Sequence, residues 1–164
     1  MLFVLILLNL IVITSTTGSW HQLDGIEYYI EYTTVNANIA KEGCKAMNAI
    51  LAVVKSKRIQ DFLVTNIDNS KLTGGPFAFY IGLSRTSSTT LQWSDGTTTN
   101  TSVFTYWDAT DDVYDDRKLC VTMGFHAAFN ILFKWKIEEC SKIVRYICQR
   151  KLRTVFTQCG ISLG

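Results

Sequence analysis

The chain is nearly without proline: Pro76 stands alone among 164 residues. No Pro/Gly linker, internal repeat or low-complexity tract divides it. A chain of this length without linkers reads as one domain, long enough to bury a proper core. Charge is also sparse, at 18% of residues with a net +2. That is too little to imply nucleic acid or an anionic membrane surface as partner. Histidine occurs only at His21 and His126. No G-x-S-x-G and no H-E-x-x-H surrounds them, which removes the familiar serine-hydrolase and zinc-protease arrangements. With no C-x-x-C pair, a zinc or redox site is not expected. General acid chemistry requires a buried carboxyl of raised pKa, whereas the aspartates here crowd a polar stretch. No enzyme activity and no catalytic residue is therefore expected.

Hydrophobic residues make up 48% of the chain, which argues for a globular protein and against disorder. Part of that excess is one run, Leu2 to Ile13, broken only by Asn9. A membrane-spanning helix takes about 20 apolar residues, so no span is expected. The run matches the centre of a secretory signal over residues 1–18. Thr16 and Gly18 fit the small-residue positions beside the cut, giving a mature chain from near Ser19. An uncleaved signal anchor is the alternative, since no basic residue precedes the run. Five cysteines, Cys44, Cys120, Cys140, Cys148 and Cys159, point to disulfides in a secreted chain. An odd count leaves at least one thiol free or paired outside the chain.

The hydrophobic periods alternate between helix and strand. Glu27–Thr33 is aromatic-rich and partly alternating, as a strand requires. Ile39, Ala40, Cys44 and Met47 recur at three- and four-residue steps, predicting a helix over Asn36–Met47. A short buried run, Leu51–Val54, precedes a second helix over Ser56–Asn66 with Ile59, Phe62 and Leu63 as its stripe. Asp68–Pro76 is polar and glycine-bearing, a turn region. Phe77–Leu83, Val121–Met123, Leu132–Trp135 and Ile143–Cys148 read as strands. Helices early and strands late predict an α+β fold with an antiparallel sheet. Between them, Ser84–Asp116 reads as one long polar loop, a length usually reserved for function or disorder.

That loop carries Asp108, Asp111, Asp112, Asp115 and Asp116, while Lys142, Arg145, Arg150, Lys151 and Arg153 crowd the far end. Most charge clusters are solvated faces. Trp93, Tyr106, Trp107 and Tyr114 flank the loop, and of these Tyr114, between aspartates, is the candidate for an exposed contact. Asn100-Thr101-Ser102 is an N-glycosylation sequon beside it.

Several of these stretches resemble the C-type lectin-like domain family. Tyr80-Ile81-Gly82-Leu83 sits at the family's aromatic-Ile-Gly-Leu strand, and Trp93-Ser94-Asp95-Gly96 at its Trp-x-Asp-Gly turn. Ala40 and Cys44 keep the family's spacing on the first helix, ahead of Leu51-Ala52-Val53-Val54. Trp135, five residues before Cys140, and Tyr146-Ile147-Cys148 complete a pattern running from about Trp20 to Arg150. The resemblance implies a fold of two helices and antiparallel sheets with a long loop region, over residues 19–150. It also implies disulfides Cys44–Cys148 and Cys120–Cys140, with Cys159 left over in a tail of residues 151–164. Glu27–Thr33 would then pair with the last strand, and Trp93, Trp107 and Trp135 would serve the core or anchor the loop.

Sugar-binding members of that family hold calcium in the long loop through carboxylate and amide oxygens, six to eight being required. Aligned on Trp107, the tripeptide of the family falls on Asp111, Asp112 and Val113, without its proline. Lys118 replaces the later glutamate, and Lys136 and Ile137 stand in the Asn-Asp positions after Trp135. Only Asp111 retains a usable oxygen, and lysine has no acceptor to offer. No cofactor is expected by the usual route. A rearranged site using Asp111 and Asp115, with Asp108 near, is the exception to be tested, although no EF-hand loop is present.

The resemblance thus implies a secreted, extracellular module that binds a carbohydrate or protein ligand without the usual calcium site. Asp108, Asp111, Asp112, Tyr114, Asp115 and Asp116 are its candidate ligand contacts, and an acidic loop favours a basic or donor-rich partner. One alternative is a calcium-dependent lectin with a rebuilt loop. Another is an oligomer-building extracellular protein, a homodimer joined through Cys159.

Overall fold

A computed structural model of the chain describes residues 18–73, 77–99, 104–109, 115, 117–126 and 131–152. The signal run, Asn100, Asp111, Asp112, Tyr114, Asp116 and Cys159 lie outside the described residues. Within them the order is β1 (Ser19–Leu23), β2 (Ile26–Val35), α1 (Ala37–Ala46), β3 (Ile50–Leu51), α2 (Lys57–Asn66) and a 3-10 turn at Asn69–Lys71. Then follow β4 (Ala78–Ser87), β5 (Thr90–Trp93), β6 (Cys120–His126), β7 (Ile131–Glu138) and β8 (Val144–Lys151).

Both helices begin where a short polar side chain caps them. Asn36 Oδ1 accepts from the Ile39 amide at 3.0 Å, and Ser56 Oγ from the Ile59 amide at 3.2 Å. Of the expected stripe, helix α1 buries Ala40 and Cys44, with Met47 half-buried at its cap, but it buries Ala37 in place of Ile39, which is exposed. The left-handed Asn48 (φ 53°) then turns the chain into β3.

The strands form one sheet in the order β1-β2-β8-β4-β6-β7, with β3 on β8 and β5 on β4. Side-chain alternation divides the core in two. Phe79, Ile81, Ile147, Met123 and Trp135 face α2 and its Leu63. Ala78, Tyr80, Tyr146 and Cys148 face α1. Because β4 is covered on both faces, its Ala78–Leu83 part is a continuous apolar run, whereas β8 is interrupted by the buried Arg145. Strand β2 pairs antiparallel with β8 from Ile26↔Lys151 through Tyr29↔Cys148, so the Glu27–Thr33 stretch meets the last strand as expected. Both disulfides form, Cys44–Cys148 with Cα atoms 5.4 Å apart and Cys120–Cys140 at 5.1 Å.

Three expectations are corrected. The sheet is mixed, not antiparallel throughout: β4 and β8 run parallel at Phe79↔Arg145 and Tyr80↔Tyr146. Parallel neighbours need a long crossover, and the chain between Ser87 and Val144 supplies it. The polar stretch from Ser84 is shorter as a loop than it reads, because β4 continues to Ser87 and β5 hairpins back onto it. Strand β1, absent from the periodicity reading, is joined to β2 by Asp24-Gly25 (φ 49° and 75°), a two-residue turn that favours left-handed residues.

The buried tyrosines set an alkaline limit. Burial, reinforced by Asp24, pushes the Tyr28 hydroxyl up to about 12, and burial with Glu138 does the same for Tyr80. Free tyrosine ionises near pH 10. The unfolded chain therefore releases these protons first, and stability is intact below about pH 10 and falls as pH climbs from there toward 12. Circular dichroism followed upward in pH is expected to show unfolding in that window. A transition complete below about pH 9 would contradict this account.

Candidate functional site

The site is built around Trp135, fully buried in β7. Its Nε1 donates to Gln60 Oε1 at 2.9 Å, and Gln60 Nε2 donates to the Phe133 carbonyl at 2.9 Å. Gln60, itself buried on α2, thereby holds two successive inward positions of β7. It also satisfies the backbone beside Phe133, which lies in the left-handed region at φ 51° where β7 shifts register against β6. Trp93, Phe104 and Trp107 meet the Trp135 ring edge-on, with centroids 5.7, 5.7 and 5.6 Å away.

This aromatic cluster docks the returning leg of the long loop. Trp135 N donates to the Tyr106 carbonyl at 2.8 Å, and Asp108 N to the Trp135 carbonyl at 2.8 Å. Trp107 and Trp135 form a parallel bridge. Since Trp135 points into the core, Lys134 and Lys136 take the other face of the strand. Lys134 Nζ lies 3.5 Å above the Tyr106 ring, a cation–π contact. Lys136 Nζ lies 3.3 Å from Asp108 Oδ2.

Asp108 is thus not a surface residue: its side chain is 3% exposed, against 32% for Lys136. A buried carboxylate needs a partner, and Lys136 supplies it. Asp115 is also engaged, accepting from Arg117 Nε at 3.0 Å and Nη2 at 3.0 Å. Arg117's hydrogen bonds hold the Asp115 carboxyl below its ordinary range. Ile137, the second residue after Trp135, is buried and offers no oxygen. The donor set left by Lys136 and Ile137 does not fit a divalent cation, because an ammonium repels one and has no lone pair to give. Among the described residues no three His, Cys, Asp or Glu side chains stand together as metal ligands do.

The structure therefore brings together Asp108, Lys136, Trp135, Trp107 and Tyr106, and pairs Asp115 with Arg117. Trp93 and Trp135 are core residues and Trp107 anchors the loop, as the resemblance implies. Gln60 and the Lys134–Tyr106 contact were missed. The alternation of Lys134, Trp135 and Lys136 held the signal for the second, since an inward tryptophan forces both lysines outward.

The Lectin C-type domain family matches residues 33–150. Lymphocyte antigen 75 of Homo sapiens is 28% identical over 141 residues, covering 84% of this chain but 8% of that protein. C-type lectin domain family 4 member A of Mus musculus is 29% identical over 120 residues, 70% of this chain and 44% of its own. The chain accordingly spans less than half the length of these relatives. The C-type lectin domain of murine dendritic cell inhibitory receptor 2, solved in complex with N-glycan, superposes with a TM-score of 0.68 at 26% identity, over 80% of this chain and 95% of that one. Herring type II antifreeze protein reaches the same TM-score of 0.68 at 19% identity, over 82% and 97%, a likeness of fold alone. By sequence over most of its length, and by a fold with two helices, a mixed sheet and two disulfides, this chain belongs to the Lectin C-type domain family.

Proposed function

We propose that this chain is a secreted, extracellular recognition module that binds a glycan or protein ligand without calcium and catalyses nothing. Residues 1–18 are its signal peptide, 19–150 the binding domain and 151–164 a tail. The ligand is met by the loop between Trp93 and Asp116 and by the outer face of β7. Asp111, Asp112, Tyr114 and Asp116 are its contacts, and Asn100, in the same stretch of sequence, carries an N-linked glycan. Within the family, the murine receptor domain solved with N-glycan supports a glycan as the first class to try.

The observation that carries the reading is the Asp108–Lys136 pair at 3.3 Å. An internal ammonium stands where the family places a cation ligand, and it ties the loop to the strand as a metal would. Loop geometry then depends on a covalently attached charge, always present. The alternative, a calcium-dependent lectin rebuilt on Asp111 and Asp115, has to displace Arg117 from Asp115 first.

A glycan array probed with the chain from Ser19, once in calcium and once in chelator, tests this. Binding is expected to agree within about twofold between the two conditions, since no ion enters the energetics. Loss of signal on chelation overturns the reading. In the same series, Lys136→Ala removes the ammonium 3.3 Å from the buried Asp108 carboxylate and is expected to cost about 1–3 kcal/mol of stability. Calcium is expected not to restore it.

A further inference from the structure

A second surface of the domain has the form of a ligand site. Between α1, β3 and the β4–β5 hairpin lies a cleft of about 420 Å³, within the range that small-molecule sites occupy. Lys41 and Lys45, one helical turn apart, stand on its α1 side together with Glu42, so that wall carries two ammonium groups and one carboxylate. Ile50, 38% exposed, gives it an apolar floor. Ser84, Gln92 and Ser94 line the opposite wall.

The cleft is held open by the fold. A Cβ on Gly82 would fall 2.5 Å from the Leu51 carbonyl oxygen and 2.6 Å from Ser94 Oγ, so only glycine lets the two walls meet at their base. Ser94 Oγ donates to the Gly82 carbonyl at 3.1 Å, which fixes that hydroxyl with its lone pairs available. Gln92 Nε2 donates to the Gly96 carbonyl at 3.0 Å, which sets the amide at the mouth. Helix α1 is itself bound to β8 by Cys44–Cys148, so the backbone that carries both lysines is fixed against the sheet.

The charge there is incompletely answered. Lys45 meets Glu42 at 3.7 Å, but both side chains are more than 70% exposed, and such a pair is worth little. Lys41 has no ion-pair partner among the described residues. Two ammonium groups above an apolar floor, with hydroxyl and amide groups facing them, suit a ring with an apolar face, hydroxyls on one edge and an anionic substituent on the other.

We propose that this cleft is a second binding site, for a sulfated sugar ring. The sulfate lies between Lys41 and Lys45, the ring's apolar face on Ile50, and its hydroxyls against Ser84, Gln92 and Ser94. Trp93 and Ser94, where the loop read above begins, also line this cleft, but Asp108 and Lys136 do not, so changes at Lys41 and Lys45 test it apart from that reading.

The test uses the chain from Ser19 in chelator, titrated with N-acetylglucosamine 6-sulfate, neutral N-acetylglucosamine and inorganic sulfate, and followed by amide chemical shifts. The sulfated sugar is expected to move α1 and β5 resonances and to weaken as salt screens the lysines. Lys41→Glu with Lys45→Glu is expected to lower its affinity at least tenfold. Lys134→Glu on β7 is expected to leave it unchanged. Both changes lie on exposed or half-exposed positions, and retained shift dispersion verifies that the variants fold. Absence of binding, equal binding of the neutral sugar, equal binding of inorganic sulfate, or sensitivity to Lys134 in place of Lys41 and Lys45 overturns the proposal.

Discussion

Replacing Cys44 and Cys148 together by alanine is expected to destabilise the domain by about 4–5 kcal/mol. The bond closes 104 residues of sequence. Its loss returns that much freedom to the unfolded chain and also removes the covalent tie between α1 and the central strand β8. Replacing Cys120 and Cys140, which close only 20 residues at the end of the β6–β7 pair, is expected to cost about 3 kcal/mol. Urea unfolding of both variants checks the order. If the shorter bridge costs more, loop length does not govern these bonds, and strand geometry near Cys120 carries the difference.

The second large effect centres on Trp135. Trp135→Ala empties the middle of the aromatic cluster and is expected to cost about 3–5 kcal/mol, in the range of aromatic truncations in a core. Trp135→Phe keeps a ring but deletes the indole donor, leaving Gln60 Oε1 buried without its partner, at about 1–3 kcal/mol. These variants are expected to loosen the loop leg before they unfold the sheet. The Asp108 amide, bonded to the Trp135 carbonyl, should exchange with deuterium faster than the amides of β4 and β8. Unchanged protection at Asp108 in Trp135→Phe would mean that the backbone bridge alone holds the leg and the ring packing contributes nothing to it.

Much of this architecture was legible because each helix and most strands meet their burial locally. The steps Ala40, Cys44 and Met47 describe α1 without reference to any other element, although Ile39, read with them, is exposed. The unbroken run from Phe79 to Leu83 announces a strand buried on both faces. What resisted reading is defined by remote partners. Strand β5 is polar enough to pass for loop, and only its pairing of Trp93 with Leu83 makes it a strand. The docked leg at Tyr106–Asp108 has no periodicity, since it exists only through Trp135. Gln60 is hidden for the opposite reason, being a polar residue on the buried side of a helix whose stripe reads as Ile59, Phe62 and Leu63.

The candidate site shows the same division. That Lys136 and Ile137 cannot replace Asn and Asp as ligands follows from residue chemistry and position alone. That Asp108 is buried does not, because five aspartates in one stretch look alike until the fold separates them. The one that follows Trp107 is turned inward by the aromatic bridge, while Asp115 is turned toward Arg117.

The pairing of Ile26 with Lys151, with the Leu152 amide bonded to the Gly25 carbonyl at 2.8 Å, makes the first hairpin a clasp for the far end of the domain. The described chain enters through β1 at Ser19, opposite Ile30, and its last strand closes beside the Asp24-Gly25 turn, about four rungs or ~13 Å further along the same ribbon. Strand β1 is the outer edge of that ribbon, so loosening it uncovers β2 but leaves the β2–β8 ladder paired. Loosening β8 instead opens the clasp and the centre of the sheet together.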